Sequence, residues 1–177
     1  MILYHGTTHD FTQIDVARGK PFKDFGQGFY ATAVFDHARS LALRNRRIEE
    51  SRLKAIGQTM RLTAYVYTYE FDNRALDQLN AKLFESADRE WLKFVIQNRT
   101  NRERQHSYDL VVGPTANDDT RTSIRAVTNA ANGAILNDNA LDLLLTMLES
   151  ANLPTQYYFG THASASYLKF QKRSVVI

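Results

Sequence analysis

The segment RLTAYVYTYEF at residues 61–71 constrains the fold of this chain more than any other part of the sequence. Its residues alternate in character, and it is rich in β-branched and aromatic side chains, which is typical of a β-strand packed on a core. This is the clearest strand signal in the chain. The other elements are therefore assigned around it.

Shorter segments complete the pattern of secondary structure. Apolar runs bounded by turn residues predict strands at residues 2–5, 28–33, 108–113, 156–161 and 172–177. Helical periodicity, with Asp36 as the expected N-cap of the first helix, predicts helices at residues 36–56, 75–84, 88–98, 120–131, 138–149 and 163–170. Strands and helices alternate without the glycine-rich turns of a doubly wound sheet. We therefore expect one mixed α+β domain over residues 1–177.

The same periodicity predicts part of the core. Trp91, Phe94 and Val95 share one face of the helix at 88–98. Leu144 and Leu148 lie in a leucine-rich amphipathic helix. We expect these five side chains to pack the interior and to have no functional role.

The composition excludes several classes of protein. The chain has 177 residues and no cysteine, which excludes disulfides, thiol nucleophiles and thiolate zinc sites. No apolar run approaches the roughly 18 residues that span a bilayer, and no signal peptide is evident, so we expect a cytoplasmic protein without a membrane partner. The net charge is +3, and the basic cluster from Arg39 to Lys54 is expected to be a solvated helix face. Binding of nucleic acid or of an acidic partner is the alternative for this cluster.

Motifs of several common enzyme classes are missing. There is no P-loop, no dinucleotide-binding GxGxxG between a strand and a helix, no GxSxG elbow and no HExxH. His5 and His9 flank a turn rather than a helix, so no metal site is expected on them. Asp118 and Asp119 follow a strand, where capping of the next helix is favoured over a metal or general-base role.

Two short clusters could carry chemistry. The first is Tyr4-His5-Gly6-Thr7-Thr8, at the end of the first strand. Gly6 would let a ligand approach the backbone closely, and the imidazole of His5 could donate to a ligand hydroxyl. A long loop at residues 6–27 follows, and loops of this length in a compact domain usually bind something.

The second cluster is DFGQGFYAT at residues 24–32. Its glycines form a turn that delivers Phe29 and Tyr30 onto opposite faces of the next strand. One ring must face the core, and the other could stack on a flat ligand. For both clusters the alternative is ordinary packing, with His5 and Tyr30 as core residues.

Taken together and in this order, these motifs resemble the ADP-ribosyltransferase superfamily, in particular its diphtheria-toxin and poly(ADP-ribose) polymerase branch. That branch has His-Gly-Thr or His-Gly-Ser on its first strand, Gly-x-Gly-[Ile/Phe]-Tyr on the next, and a Glu or a substitute opening a late strand. The chain is also similar to an uncharacterised bacterial family of such domains found in toxin–antitoxin-like operons. The later signatures are YDLVVGPTANDDT at 108–120 and QYYFGTHASASYLKF at 156–170.

The resemblance implies a fold and a reaction. The fold would have split mixed or antiparallel β-sheets flanked by helices. The reaction would be mono-ADP-ribosylation, in which NAD is the substrate, nicotinamide leaves, and ADP-ribose passes to a protein or nucleic-acid acceptor. A small antitoxin protein is a possible partner, and no metal is required.

The resemblance also implies roles for individual residues. His5 would hydrogen-bond the ribose on the nicotinamide side, Gly6 would meet the carboxamide through its backbone, and Tyr30 would stack on the nicotinamide ring. Gln156 stands where the superfamily has its catalytic Glu. The loop at 8–27 would cover the adenosine end, and the remaining NAD-contacting positions would be Thr7, Gly28 and Leu41.

Two positions depart from the family pattern. Gln156 is an amide, which can hydrogen-bond a ribose but cannot take a proton, and we expect it to be solvated at the end of its strand. Leu41 stands where many relatives have a second stacking aromatic.

The alternative functions are therefore an inert relative that binds NAD or a partner, or another enzyme on the same fold, such as an RNA 2′-phosphotransferase or an enzyme that ADP-ribosylates rifamycin-type antibiotics.

Overall fold

The computed structural model describes residues 1–116, 122–123, 126, 137–148 and 153–177. Its strands are β1 (Ile2–Thr7), β2 (Phe29–Thr32), β3 (Ala64–Phe71), β4 (Ala81–Leu83), β5 (Leu110–Pro114), β6 (Thr155–Phe159) and β7 (Leu168–Val176). Its helices are α1 (Phe35–Ala55), α2 (Ala75–Gln78), α3 (Arg89–Thr100), α4 (Asp138–Leu148) and α5 (His162–Ala165), with a 3₁₀ turn at Val16–Arg18. This architecture confirms the predicted α+β class. In the described part of the chain, no helix combines the length and the apolar composition needed to cross a membrane.

The sheet has two halves that meet at one residue pair. The seven strands follow the order β4-β5-β6-β2-β1-β3-β7, and only β4 and β5 run parallel. β1 pairs with β3 along six residues, and β2 pairs with β6 along four. Between β1 and β2, however, the register contains only Tyr4 opposite Thr32. The two central strands therefore separate beyond this pair and leave a cleft between the halves.

Helix α1 lies directly on β1 at Gly6. A Cβ atom at Gly6 would stand 1.9 Å from the carbonyl oxygen of Ala38, far inside van der Waals contact. Ala38 and Ala42 are fully buried against the strand. Small residues on both elements thus bring the helix backbone close to the strand, and any larger residue at position 6 would push the helix away.

The core predictions are confirmed where the side chains are described. Trp91, Val95 and Leu144 are fully buried, and Phe94 is partly buried against the same apolar cluster. The indole Nε1 of Trp91 donates to the carbonyl oxygen of Pro114 at 3.0 Å, so the one polar atom of the ring is satisfied. The side chain of Leu148 lies outside the described residues.

Two predictions in the first half of the chain are wrong. The helix predicted at 75–84 ends at Gln78, because Ala81–Leu83 forms β4 and pairs in parallel with β5. Its backbone satisfies hydrogen bonds with a strand almost thirty residues away, a contact that local periodicity does not reveal. Asp36 is not the N-cap of α1; that position is Val34, and Asp36 lies in the first turn.

The C-terminal part of the chain also differs from its prediction. The helix expected at 163–170 covers only His162–Ala165, where Thr161 and Ser164 form a capping box. The last strand begins at Leu168 rather than at residue 172, and pairs with the whole length of β3. Most of the predicted helix at 120–131, and Asp118 and Asp119 before it, lie outside the described residues; the described positions within it, 122–123 and 126, are helical.

Helix α4 offers a matched pair of leucines to test the core. Leu144 is fully buried, and its neighbour Leu143 is 59% exposed. We expect Leu144→Ala to lower the free energy of unfolding by about 2–5 kcal/mol, because it leaves a cavity. Leu143→Ala should stay within about 0.5 kcal/mol of the wild type. Urea unfolding monitored by circular dichroism measures the free energy of unfolding of both variants. Equal losses in the two variants would contradict the burial of Leu144.

Candidate functional site

A cleft of about 490 Å³ lies where β1 and β2 separate. Its wall also includes residues of the loop between these strands, of α1, and of the start of β6. The seven residues predicted from the sequence as site residues all line it: His5, Gly6, Thr7, Gly28, Tyr30, Leu41 and Gln156. A volume of this size is ordinary for a small-molecule site, which typically measures about 300–1,000 Å³.

His5 connects the two separated strands through its side chain. Its Nδ1 lies 2.6 Å from the carbonyl oxygen of Tyr30, and its ring stacks on Phe29 with centroids 4.3 Å apart. Burial lowers the pKa of His5 from 6.5 to about 4, so the imidazole is neutral at pH 7. A carbonyl only accepts, so the single ring proton is on Nδ1.

The tautomer of His5 determines what it can offer a ligand. With the proton on Nδ1, Nε2 carries a lone pair, and it has no hydrogen-bond partner among the described residues. His5 therefore accepts a hydrogen bond from a ligand at neutral pH. In this tautomer the one N–H of His5 is bound to Tyr30, so the imidazole has no second N–H to donate to a ligand hydroxyl.

Gln156 is buried rather than solvated, which contradicts the sequence-based expectation. Its exposed fraction is 8%, because β6 lies between β2 and β5 and Gln156 faces Thr32 on one side and Gly113 on the other. Its Nε2 donates to Asp24 Oδ2 at 2.7 Å and to the Pro114 carbonyl oxygen at 3.2 Å. Both amide protons are thus used, and Oε1 has no partner within the described part of the chain. Gln156, like His5, can therefore accept a hydrogen bond from a ligand in the cleft but cannot donate one.

Tyr30 lines the cleft, and its hydroxyl holds the preceding loop. The hydroxyl donates to the Gly26 carbonyl oxygen at 2.6 Å and accepts the Phe25 backbone N–H at 3.1 Å. Burial raises the pKa of Tyr30 well above its ordinary value of 10.0, so the hydroxyl keeps its proton. The ring also packs edge-on against Tyr158 with centroids 5.2 Å apart.

The other four predicted residues shape the cleft wall. A Cβ atom on Gly28 would lie 2.4 Å from the ring of Tyr158, so only glycine fits there. Thr7 is buried, and its Oγ1 accepts the His9 backbone N–H at 3.1 Å. Leu41 contributes a partly buried aliphatic surface from α1, and Gly6 is fixed by its contact with the same helix.

Sequence reasoning missed a buried ion pair at this site. Asp24 and Arg99 form a salt bridge in which the carboxylate side chain is 5% exposed and the guanidinium side chain 14% exposed. Their separation of 75 residues hides the pairing. A signal was nevertheless present, because Arg99 continues the buried stripe of α3 through Trp91 and Val95 at helical spacing. A cation on an apolar stripe indicates a buried partner.

The cleft wall suits a polar, anionic ligand. Five cationic side chains line it against three carboxylates, which leaves an excess of two positive charges. Two buried polar atoms in the wall, His37 Nδ1 and Thr115 Oγ1, have no hydrogen-bond partner among the described residues. Unpaired buried polar atoms cost free energy, and a ligand with hydroxyl or phosphate groups would satisfy them.

Metal binding has no support in the described residues. Within them, no group of three or more His, Asp or Glu side chains is arranged to hold an ion. His5 and His9 do not form a pair of ligands with a third group nearby.

A family model described as "Protein of unknown function (DUF3990)" matches residues 1–170. The chain belongs to the DUF3990 family. No curated protein and no solved structure matches the chain significantly. The match to the DUF3990 model extends over every residue that lines the cleft, from Tyr4 to Gln156.

The partly buried, neutral His5 of this DUF3990 protein makes its stability depend on pH. Between pH 6.5 and about 4 the native state binds fewer protons than the unfolded state, so stability falls as pH falls through this range. We expect His5→Gln, which can still donate to Tyr30 but does not titrate, to remove up to about 3 kcal/mol of this loss. Urea unfolding at pH 7.5 and at pH 4.5 measures the difference.

The matched control for this prediction is His162→Gln, since His162 is exposed and does not line the cleft. The control should keep the pH dependence of the wild type. The same acid sensitivity in His5→Gln as in the wild type would show that His5 is not held neutral by the fold.

Proposed function

We propose that the cleft binds NAD and that the protein transfers a single ADP-ribose group to a macromolecular acceptor, with release of nicotinamide. One observation carries the proposal: His5 and Gln156, on strands from the two halves of the sheet, both present hydrogen-bond acceptors to the same cleft. A ribose carries hydroxyl groups that donate. The pair of acceptors thus matches the sugar whose glycosidic bond is to break.

Charge and shape support the same ligand. The excess of positive charge on the wall favours the diphosphate of a dinucleotide. Tyr30 also lines the cleft, and its aromatic ring is a surface of the kind on which a flat ring such as nicotinamide stacks. These features agree with the roles that the resemblance to ADP-ribosyltransferases implies for the same residues.

The reaction breaks the bond between C1′ of the ribose and the nicotinamide nitrogen, and the electron pair leaves with nicotinamide. Positive charge then grows on the ribose ring. Acceptors that hold the ribose hydroxyls orient the sugar and stabilise this charge. The acceptor molecule forms the new bond to C1′ and releases its proton to solvent, because Gln156 cannot take a proton and burial, which lowers the His5 pKa to about 4, makes that imidazole a weak base.

A neutral amide at position 156 limits the outcome. Gln156 provides orientation without a proton-accepting carboxylate. We therefore propose at most one ADP-ribose on each acceptor site, or slow hydrolysis of NAD, and no polymer. The second candidate function is an NAD-binding protein without turnover, and the same amide is the observation that favours it.

The decisive experiment has two steps. Calorimetry with millimolar NAD measures binding, and chromatography of nicotinamide released in the presence of a cell lysate and labelled NAD measures transfer. Binding with release and a single labelled group per site supports the proposal. Binding without release favours the inert candidate, absence of binding refutes both, and long ADP-ribose chains refute the single transfer.

Two substitutions at Tyr30 separate the ring from the hydroxyl. Tyr30→Phe and Tyr30→Leu both lose the hydroxyl that holds Gly26 and Phe25, so they share that damage. Only Tyr30→Leu also loses the aromatic face. We expect NAD to bind about five- to tenfold more weakly to Tyr30→Leu than to Tyr30→Phe by calorimetry. Equal affinities would mean that the ring does not stack on the ligand.

A further inference from the structure

The buried pair of Asp24 and Arg99 lies against the cleft and has no role in the reaction described above. Asp24 is 4% exposed and comes from the loop before β2, whereas Arg99 comes from the end of α3. Buried ion pairs often stabilise a fold less than apolar residues of the same volume would. Stability alone therefore does not account for this ion pair, and we consider instead that it orients a neighbouring group.

The hydrogen bonds of Asp24 are complete. Its Oδ1 accepts from Nε of Arg99 at 2.6 Å and also from Nη2 of the same side chain. Its Oδ2 accepts the Ala116 backbone N–H at 3.0 Å and the Gln156 Nε2 at 2.7 Å. A carboxylate has about four acceptor positions, so Asp24 has none left for a ligand or for a proton from an acceptor molecule.

We propose that Asp24 is the positioning residue of this site: it fixes the Gln156 amide with Oε1 towards the cleft and strengthens that oxygen as an acceptor. This inference rests on the proposed function. An amide can adopt two orientations related by a flip, and they differ in whether oxygen or nitrogen meets the ligand. Asp24 and the Pro114 carbonyl both accept, so the nitrogen must face them.

Polarisation adds to orientation. A hydrogen bond to an ionised carboxylate is stronger than one between neutral groups. Donation from Nε2 to Asp24 draws electron density through the amide, and hydrogen bonds in such a chain reinforce one another at low dielectric. The neutral Gln156 thereby becomes a better acceptor for a ribose hydroxyl than an exposed glutamine would be.

Asp24 also explains why an amide occupies position 156. A carboxylate there would lie within hydrogen-bond distance of Asp24, and the two charges would share the single guanidinium of Arg99. Two such carboxylates cannot both ionise without a large cost. The negative charge of this site therefore sits on Asp24, one hydrogen bond behind the cleft.

The first test needs no NAD. In the wild type, nuclear magnetic resonance should show a Gln156 side-chain NH₂ pair shifted from the position of exposed glutamines and slow to exchange with solvent. Its loss in Gln156→Leu assigns the signal. We expect Asp24→Asn to abolish both the shift and the protection, and a signal unchanged in a folded Asp24→Asn protein would overturn the proposal.

Asp24→Asn leaves the guanidinium of Arg99 buried without its counter-charge, which could prevent folding. The double variant Asp24→Asn/Arg99→Gln removes both charges and keeps polar groups of similar size at both positions. It should fold and should also lack the shifted, protected amide signal. Retention of that signal in the double variant would equally overturn the proposal.

The second test measures turnover. In whichever of these variants folds, we expect kcat for nicotinamide release to fall about ten- to hundredfold with KM for NAD changed little, as for loss of a contact made in the transition state. A folded variant with unchanged kcat would refute the positioning role. Absence of NAD binding to the wild type would instead refute the proposed function, while the amide signal would still report the geometry.

The third test exchanges the charge between the two positions. Gln156→Glu alone should lower the thermal midpoint at neutral pH, because it adds a second buried carboxylate. In Asp24→Asn/Gln156→Glu the total charge is restored, and the midpoint should recover most of the loss. Gln58→Glu is the control for the same substitution at an exposed site. Additive effects of the two substitutions would contradict coupling between Asp24 and Gln156.

Discussion

The hydrogen bond from His5 Nδ1 to the Tyr30 carbonyl oxygen is the contact on which the cleft depends. Beyond Tyr4 and Thr32 the backbones of β1 and β2 no longer pair, so each strand would leave peptide groups without partners in the middle of the sheet. The imidazole spans this gap at 2.6 Å. A side-chain hydrogen bond thus takes the place of a backbone hydrogen bond between the strands. The gap between the two strands forms the cleft.

The same contact sets the chemistry of the cleft. Because Nδ1 is bound to a carbonyl and burial lowers the His5 pKa to about 4, the ring presents a lone pair rather than a charge. Across the cleft, the Asp24 carboxylate holds the amide nitrogen of Gln156, so that its Oε1, an acceptor like Nε2 of His5, is directed to the cleft. The hydrogen bonds of His5 on one half of the sheet and of Gln156 on the other therefore use the donor atoms of both side chains and leave their acceptor atoms for a ligand. A ligand that binds between them must itself donate, as a sugar does.

Much of the fold could be predicted from the sequence, and two of the failures share one physical cause. Alternation identified β3, and helical periodicity identified α1, α3 and α4, because these signals are local. The errors at 75–84 and at Gln156 both concern residues whose state depends on distant strands: β4 forms only because β5 lies beside it, and Gln156 is buried only because β2 and β5 flank β6. The motif residues of the cleft could be named in advance, but the ion pair behind them could not, since Asp24 and Arg99 meet only in the folded chain.

Burying that ion pair has a thermodynamic consequence for how the site is built. Desolvation of two charges offsets most of their attraction, so apolar residues at both positions would fold as well or better. They would, however, leave the Gln156 amide held by the Pro114 carbonyl oxygen alone, so that flipped orientations with nitrogen towards the cleft would become more populated. The correct orientation of the amide would then have to be restored each time a ligand binds, and this cost would weaken the hydrogen bond between Gln156 and the ligand. A fixed amide avoids that cost, and this argues that the charge on Asp24 serves the acceptor geometry of the cleft more than the stability of the fold.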